Sequence, residues 1–235
     1  MEKRSFPYKT ISIKITKGKT MTRLIVTRHG QSIANAQRRF AGHSDFDLSE
    51  IGHRQAQLVA DYICENEKPD VIYSSDLSRA YNTALPTAKR LGMDIIATEE
   101  LREIFAGEWE GRTTDDLATE FPQDFGIWKN DYSHCRCTGG EATAEVYQRA
   151  VRTLAKIAEK NDGKTVMVST HATLVRALSA YARGLGADRV AEIPFTHNAS
   201  INVFIYDGGK LIPERLDIIE HLGDIVTGVH KSFSK

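Results

Sequence analysis

The stretch RLIVTRHG at residues 23–30 decides the fold, and the stretch KTVMVSTHA at residues 164–172 has the same form. In each, a short apolar run typical of a buried strand ends in a histidine, His29 or His171, just before a segment that can form a helix. Ligands of open α/β sheets bind beyond the carboxyl ends of the strands. Both histidines are therefore predicted to lie where a functional site is expected.

Outward from these two runs, the chain from Met21 alternates short apolar runs with amphipathic stretches. The apolar runs predict strands at residues 23–27, 70–73, 94–97, 164–169 and 200–206. The amphipathic stretches predict helices at residues 49–65 (capped by Ser49), about 77–91, 112–120, 141–160 and 172–183. This alternation predicts an α/β fold, a three-layer sandwich in which a mostly parallel sheet carries helices on both faces.

The composition fits one globular domain and argues against several classes of protein. The length of 235 residues suffices for a sizeable core. The 31 basic and 31 acidic residues balance, which favours neither a nucleic-acid nor a membrane partner. No apolar run is long enough for a transmembrane helix, and three cysteines are too few for a disulfide framework. A reducing, cytoplasmic location is the expectation.

Residues 1–20 differ from the rest of the chain. They carry six Lys or Arg residues against one acid, Glu2, and no apolar segment typical of a secretory signal follows. We expect a flexible N-terminal extension, with Met21 as the usual start, ahead of a single domain at residues 21–235. The alternation of Ile11, Ile13 and Ile15 with polar residues leaves a short edge strand as the alternative.

The residues around the two histidines suit a phosphate group. Arg28 provides a planar fork for phosphate oxygens, Gly30 permits close backbone approach, and Asn35 adds a neutral donor. Ala172 begins a helix whose free N–H groups and dipole favour an anion.

Two further segments supply candidate residues, although each alone is more typical of a solvated surface. Arg79 lies in the first turn of the helix after the second strand, near the same edge of the sheet. The acidic loop LREIFAGEWEG at residues 101–111 contains a candidate general acid.

Taken in order, these segments resemble one family. The matching pieces are RHG with Asn35, then LSEIG (48–52), SSDLSRA (74–80), LREIFAGEWEG (101–111), GGE (139–141), THA (170–172) and NAS (198–200). From Met21 onward the chain resembles the histidine phosphatase superfamily, in its phosphoglycerate-mutase-like branch. Its GEWEG loop at residues 107–111 is similar to the broad-specificity phosphatase type.

The resemblance implies a role for each candidate residue. The implied catalytic residues are His29 as the nucleophile, Glu103 as the acid that protonates the leaving oxygen, and His171. The implied phosphate-binding residues are Arg28, Asn35, Arg79, His171 and Ala172. Two arginines, a protonated histidine and a helix N-terminus can supply the positive charge that Mg²⁺ supplies elsewhere, so no metal or other cofactor is expected. The chain departs from the family pattern at Ala172, where glycine is more frequent, and at Ala142, where serine is common.

A segment at about residues 105–140 is expected to form a lid over the site. Its aromatic residues are expected to pack the lid more than to contact substrate; they are Phe121, Phe125, Trp128 and Tyr132. The HCRC stretch at residues 134–137 lacks the second ligand pair that a zinc site usually has, so no metal is predicted there. No motif supports a chemical role for His43, His53, His197 and His221, which are interpreted as structural or surface residues.

Three functions remain open on the sequence. The favoured one is a phosphomonoester hydrolase that uses a phosphohistidine intermediate on small phosphorylated metabolites. The alternative is a cofactor-dependent phosphoglycerate mutase, which needs more cations around its pocket. The segment after the acidic loop has no adjacent arginine pair, and the pair Arg38-Arg39 lies in a different motif. A non-catalytic phospho-ligand binding module ranks lower because His29 and Glu103 are both present. The oligomeric state is open, with a homodimer among the states considered.

Overall fold

The structure, a computed structural model, describes residues 21–228 and is built on a six-stranded sheet. The strands are β1 (Thr22–Arg28), β2 (Val71–Ser75), β3 (Ile95–Thr98), β4 (Thr165–Thr170), β5 (Ile201–Asp207) and β6 (Lys210–Ile218). They lie in the order β3-β2-β4-β1-β5-β6. The first four are parallel, β5 is antiparallel to β1, and β6 is antiparallel to β5. The predicted mostly parallel sheet is confirmed.

Helices cover both faces of this sheet. They are α1 (Ile33–Ala36), α2 (Glu50–Asn66), α3 (Ser78–Leu91), α4 (Thr114–Glu120), α5 (Pro122–Asn130), α6 (Thr143–Lys160) and α7 (Ala172–Ala182). Ile25 of β1 and Met167 of β4 share one core cluster with residues of α2 and α3. Their neighbours Leu24 and Val168 share the other cluster with residues of α6 and α7. Successive residues of a strand face opposite sides of the sheet, so each strand contributes side chains to both hydrophobic cores. The predicted three-layer sandwich is confirmed.

The predicted elements agree with the observed ones to within two residues at each end. Ser49 caps α2 as predicted, because its side chain accepts a hydrogen bond from the Gly52 N–H. Among the α-helices and strands of the described residues, three were missed: α1, α5 and β6. The helix predicted at residues 112–120 does end before Pro122. Pro122 itself begins α5. A proline in the first turn of a helix loses no helical hydrogen bond, because the N–H groups of that turn have no helical carbonyl partner.

β6 was missed because its exposed, charged residues interrupt the alternation of apolar and polar residues that predicts a strand. It follows β5 through Gly208 and Gly209, both with positive φ, and it forms an edge of the sheet. The two expectations for residues 1–20 lie outside the described residues. Within residues 21–228, no helix is long and apolar enough to cross a bilayer.

Candidate active site

The two predicted histidines lie side by side at one edge of the sheet. β1 and β4 are parallel neighbours with Arg28 opposite Thr170, so the residues that follow them, His29 and His171, leave the sheet together. Their ring centroids are 5.1 Å apart, and the His29 N–H donates to the Thr170 carbonyl at 2.9 Å. The sheet itself thus sets the spacing of the pair.

His29 is held in the form that a nucleophile needs. Its Nδ1 lies 2.6 Å from the Gly30 carbonyl oxygen, which can only accept, so Nδ1 carries the proton. The lone pair is therefore on Nε2. Burial, reinforced by the positive charges of Arg79 and Arg28, holds the pKa of His29 well below its usual value. The imidazole is neutral at pH 7 and available to attack an electrophile.

Two buried arginines flank this imidazole. Arg79 is 1% exposed, and its Nη1 and Nη2 donate to the carbonyls of Ser44 and Gly42 at 2.9 and 2.7 Å. Arg28 donates through Nη1 to the Thr196 carbonyl at 2.5 Å. Burial lowers the pKa of Arg28 to about 10 and also lowers that of Arg79, which still leaves both charged at pH 7. These anchors fix two guanidinium groups beside His29.

Several buried nitrogens of these residues have no protein partner. Among residues 21–228 they include Nε of Arg28, Nε of Arg79 and both ring nitrogens of His171, which is completely buried. Buried polar atoms are hydrogen-bonded in most cases, so such a set suits an anion that binds between them. Burial, Arg79 and His29 hold the pKa of His171 well below its usual value. The protein groups by themselves therefore favour a neutral His171, and a protonated His171 in contact with phosphate stays a prediction. A phosphate dianion in contact would raise this pKa.

Glu103 is the acidic residue of its loop that faces the cleft. Its Oε1 accepts from the Ile104 N–H at 2.8 Å, and its Oε2 lies 3.4 Å from the Thr173 N–H in the first turn of α7. The carboxylate therefore lies at the helix terminus that was predicted to attract an anion. Its rivals lie elsewhere: Glu108 is exposed, and Glu110 accepts from the loop at residues 43–44.

Asn35 is linked to the segment of His29 through Asn198. Its Oδ1 accepts from the Ser32 N–H at 3.2 Å and from Asn198 Nδ2 at 3.1 Å. With the oxygen so engaged, the side-chain NH₂ of Asn35 is the group available to the cleft. Asn198 also lies 3.3 Å from the His29 carbonyl, so it links the two segments.

The site contains a cleft of about 670 Å³, a volume within the range typical of small-molecule sites. The predicted residues Arg28, His29, Asn35, Arg79, Glu103 and Ala172 all line it. His171 lies beneath them, against the His29 ring. The outer wall carries Phe125, Trp128 and Lys129 of α5 and Asp115 of α4.

Comparison with known proteins identifies the family. The family model of the histidine phosphatase superfamily (branch 1) matches residues 24–218. The chain belongs to the histidine phosphatase superfamily.

Two relatives and one solved structure place the chain within the family. Phosphoserine phosphatase 1 of Hydrogenobacter thermophilus is 34% identical over 90% of this chain and 100% of its own length. Phosphoglycerate mutase-like protein 4 of Arabidopsis thaliana is 32% identical over 85% of this chain and 86% of its own. The structure of a mycobacterial glucosyl-3-phosphoglycerate phosphatase with VO₃ has a TM-score of 0.73 and 30% identity, covering 83% of this chain and 97% of that one. The predicted family and the predicted enzyme class, a histidine-type phosphatase, are confirmed.

One part of this histidine phosphatase site was misjudged from the sequence. The pair Arg38-Arg39 was set aside because it lies outside the acidic-loop segment, yet both residues line the cleft. Arg38 has φ of +57°, and its side chain has no hydrogen-bond or ion-pair partner among the residues described. Arg39 donates to the Gly111 carbonyl at 2.6 Å. A left-handed backbone at Arg38 is not foreseeable from residue type, because arginine rarely adopts it.

Supporting contacts of the site were not predicted. His43 has a structural role, in line with its interpretation, because its Nε2 donates to the Glu103 carbonyl at 2.9 Å. Thr83 accepts from the Gly30 N–H at 3.0 Å. The sequence around His43 or Thr83 does not predict these hydrogen bonds, because each one joins segments that are far apart in the chain.

The segment predicted as a lid is well packed. Phe125, Trp128 and Tyr132 are buried in the larger core cluster and Phe121 packs against it, as the packing interpretation expected. Cys135 and Cys137 are buried in the same cluster, and burial raises the pKa of both thiols. Among residues 21–228, no group of three or more His, Cys, Asp or Glu side chains has the arrangement of a metal site.

Proposed function

We propose that the protein hydrolyses small phosphomonoesters through a phosphohistidine on His29. One observation carries the proposal: a neutral, buried His29 with its lone pair on Nε2 lines the same cleft as Arg28 and Arg79, whose positive charges act on it. Phosphoryl transfer depends on positioning and on neutralising charge, and this arrangement supplies both.

The reaction divides into two steps. In the first, His29 Nε2 forms a bond to phosphorus while the bond to the ester oxygen breaks, and protonated Glu103 gives its proton to that oxygen. In the second, water attacks the phosphohistidine, Glu103 takes a proton from the water, and the phosphorus–nitrogen bond breaks. Inorganic phosphate leaves, and both side chains return to their first state.

The remaining groups hold the phosphoryl oxygens. Arg28, Arg79 and His171 are assigned to them because their buried nitrogens have no protein partner. Asn35 adds its NH₂, and Ala172 adds the first N–H of α7, which no helical carbonyl can reach. In this assignment the protein works without a metal or another cofactor.

The remaining expectations about the chain belong to this proposal. We propose a single histidine phosphatase domain at residues 21–235, of which the structure describes residues 21–228, a segment at about residues 105–140 that covers the cleft, and a cytoplasmic location. The substrate is a small phosphorylated metabolite, and phosphoserine and glucosyl-3-phosphoglycerate enter the tests because relatives are named for them.

A mutase remains the second candidate because of the cations on the cleft wall. Arg38, Arg39 and Lys129 all line the cleft. A mutase must hold a second phosphate, and these side chains bring positive charge to the same space. Hydrolysis is still favoured, because Arg39 donates to the Gly111 carbonyl, Lys129 lies over the Phe125 ring, and Asp115 lines the same wall.

Turnover of a metabolite panel tests the proposal. Phosphate release is measured from phosphoserine, 3-phosphoglycerate, glucosyl-3-phosphoglycerate, sugar phosphates, nucleotides and p-nitrophenyl phosphate, and conversion of 3- to 2-phosphoglycerate is followed in parallel. We expect phosphate release to exceed conversion. Conversion that exceeds release would establish the mutase, and phosphate binding without any turnover would establish a binding module.

A further inference from the structure

Arg149 of α6 binds the main chain of the loop that carries Glu103. Its Nη1 donates to the carbonyls of Glu100 and Arg102 at 3.1 and 2.7 Å, and its Nη2 donates to the Glu103 carbonyl at 3.0 Å. One guanidinium thus holds three carbonyls within four residues of chain. Arg149 does not line the cleft, so it cannot touch a substrate there.

Glu141 extends this set of contacts. It pairs with Arg149 through two parallel contacts, Nε to Oε1 at 3.0 Å and Nη2 to Oε2 at 2.8 Å. It also accepts from the Phe105 N–H at 2.8 Å, and its own N–H donates to the Phe105 carbonyl at 2.8 Å. The pair therefore fixes the chain on both sides of Glu103. A fork-to-fork ion pair adds geometric definition that a lysine cannot provide.

His43 holds the same peptide from another direction. Its Nε2 donates to the Glu103 carbonyl at 2.9 Å, so this oxygen accepts from His43 and Arg149 together. With its peptide plane so fixed, the Glu103 side chain reaches the first turn of α7 beside the two histidines. Small rotations of this plane would move the carboxyl away from a leaving oxygen.

We infer that the Arg149–Glu141 pair is the device that positions the general acid. Arg149 and Glu141 are positioning residues that act through Glu103 and not on the substrate. The inference rests on the proposed function, because it needs Glu103 to be the acid. A pair that only joined α6 to the loop would matter for stability and would affect all substrates alike.

Leaving-group dependence separates these roles. The variants are Arg149→Lys and Glu141→Gln, and Arg152→Lys is the matched control. Arg152 lies on the same helix and pairs with the Glu100 side chain at 3.3 Å, an exposed ion pair that involves a side chain and not the loop carbonyls. kcat/KM is measured on an alkyl phosphate from the panel and on p-nitrophenyl phosphate, whose leaving group needs little protonation. Melting temperatures are recorded for every variant.

We expect both variants to lose about 100-fold in kcat/KM on the alkyl phosphate, the effect of roughly 1 Å of misplacement. The loss on p-nitrophenyl phosphate should be much smaller, and Arg152→Lys should match the wild type on both. Adding Arg149→Lys to Glu103→Gln should cause no further selective loss, because the positioned group is already gone.

Two results would overturn the inference. If Glu103→Gln is selective for the alkyl phosphate but Arg149→Lys and Glu141→Gln slow both substrates equally, the pair is structural and the proposed function stands. If Glu103→Gln is itself unselective, the acid assignment fails and the positioning role fails with it. Should Arg149→Lys not fold, Glu141→Gln, which keeps an acceptor for the Phe105 N–H, decides alone.

Discussion

Replacing Glu103 by glutamine removes a proton donor and a negative charge but keeps the shape of the side chain and the shorter of its two hydrogen bonds. The glutamine carbonyl can still accept from the Ile104 N–H, which now meets Oε1 at 2.8 Å. Of the two hydrogen bonds of Glu103, the substitution breaks the weak one from the Thr173 N–H at 3.4 Å, because an NH₂ group cannot accept there. Breaking one such hydrogen bond costs about 1 kcal/mol, which lowers Tm by about 2–4 °C in a domain of this size.

The catalytic effect should be far larger and should depend on the leaving group. General acid catalysis contributes about 10²- to 10⁴-fold, or about 2.7–5.4 kcal/mol of transition-state stabilisation. An alkoxide leaving group needs that proton, so the alkyl phosphate should lose most of its kcat/KM. p-Nitrophenolate leaves largely unaided. kcat/KM is the quantity to compare because it reports the steps up to departure of the leaving group and excludes hydrolysis of the phosphohistidine.

The structure also predicts that Glu103→Gln strengthens the binding of phosphate although it weakens catalysis. The Glu103 carboxylate interacts favourably with Arg28 and Arg79, the residues proposed to bind phosphate. Removing its negative charge should therefore tighten inhibition by inorganic phosphate while turnover falls. Each tenfold decrease in the inhibition constant corresponds to about 1.4 kcal/mol.

The assay compares wild type, Glu103→Gln and Glu108→Gln on both substrates, with phosphate as the inhibitor. Glu108 is the control because it lies exposed in the same loop and does not line the cleft. Equal slowing of both substrates by Glu103→Gln, or a selective loss in Glu108→Gln alone, would refute the assignment of the acid.

Three further predictions concern pH, metal and the N-terminal residues. The pKa values of His29 and His171 in the folded chain lie well below 6.5, so just below that pH the unfolded chain binds more protons than the folded chain. The contribution of the two histidines to stability is therefore full above about pH 6.5 and is lost as the pH drops. Two such histidines give a slope of up to about 2.7 kcal/mol per pH unit in urea unfolding, and a flat profile between about pH 7 and pH 5.5 would contradict the buried neutral pair. Activity should survive exhaustive EDTA treatment, and a loss that a divalent ion restores would show that a metal takes part. A chain that starts at Met21 should keep the Tm and kcat/KM of the full chain, whereas a large drop in either would favour the edge strand at Ile11, Ile13 and Ile15.

Much of the fold was predictable because local patterns and tertiary structure agree. The runs at residues 23–27 and 164–169 are largely apolar, as central parallel strands must be, and each became a strand within a residue of its predicted bounds. Ser49 before an amphipathic stretch fixed the start of α2. β6 was not predictable in this way, since an edge strand with one solvated side loses the apolar signal.

The site residues that directly follow a strand were predictable from the sequence. His29 and His171 follow neighbouring strands, so topology alone brings them together. The supporting contacts were not predictable, because they join distant segments through backbone groups. Arg149 illustrates this: its partners in the loop are the carbonyl oxygens of Glu100, Arg102 and Glu103, and every residue type offers a carbonyl.

The central claim is that His29 Nε2 carries the phosphoryl group during turnover, and trapping that group tests it most directly. The enzyme is mixed with ³²P-labelled substrate, quenched in alkali within the first turnovers, and mapped by mass spectrometry. The account predicts an acid-labile, base-stable phosphate on Nε2 of His29, absent from His29→Ala, which should have lost its turnover. A phosphate on another residue, or near-normal turnover in His29→Ala, would contradict it.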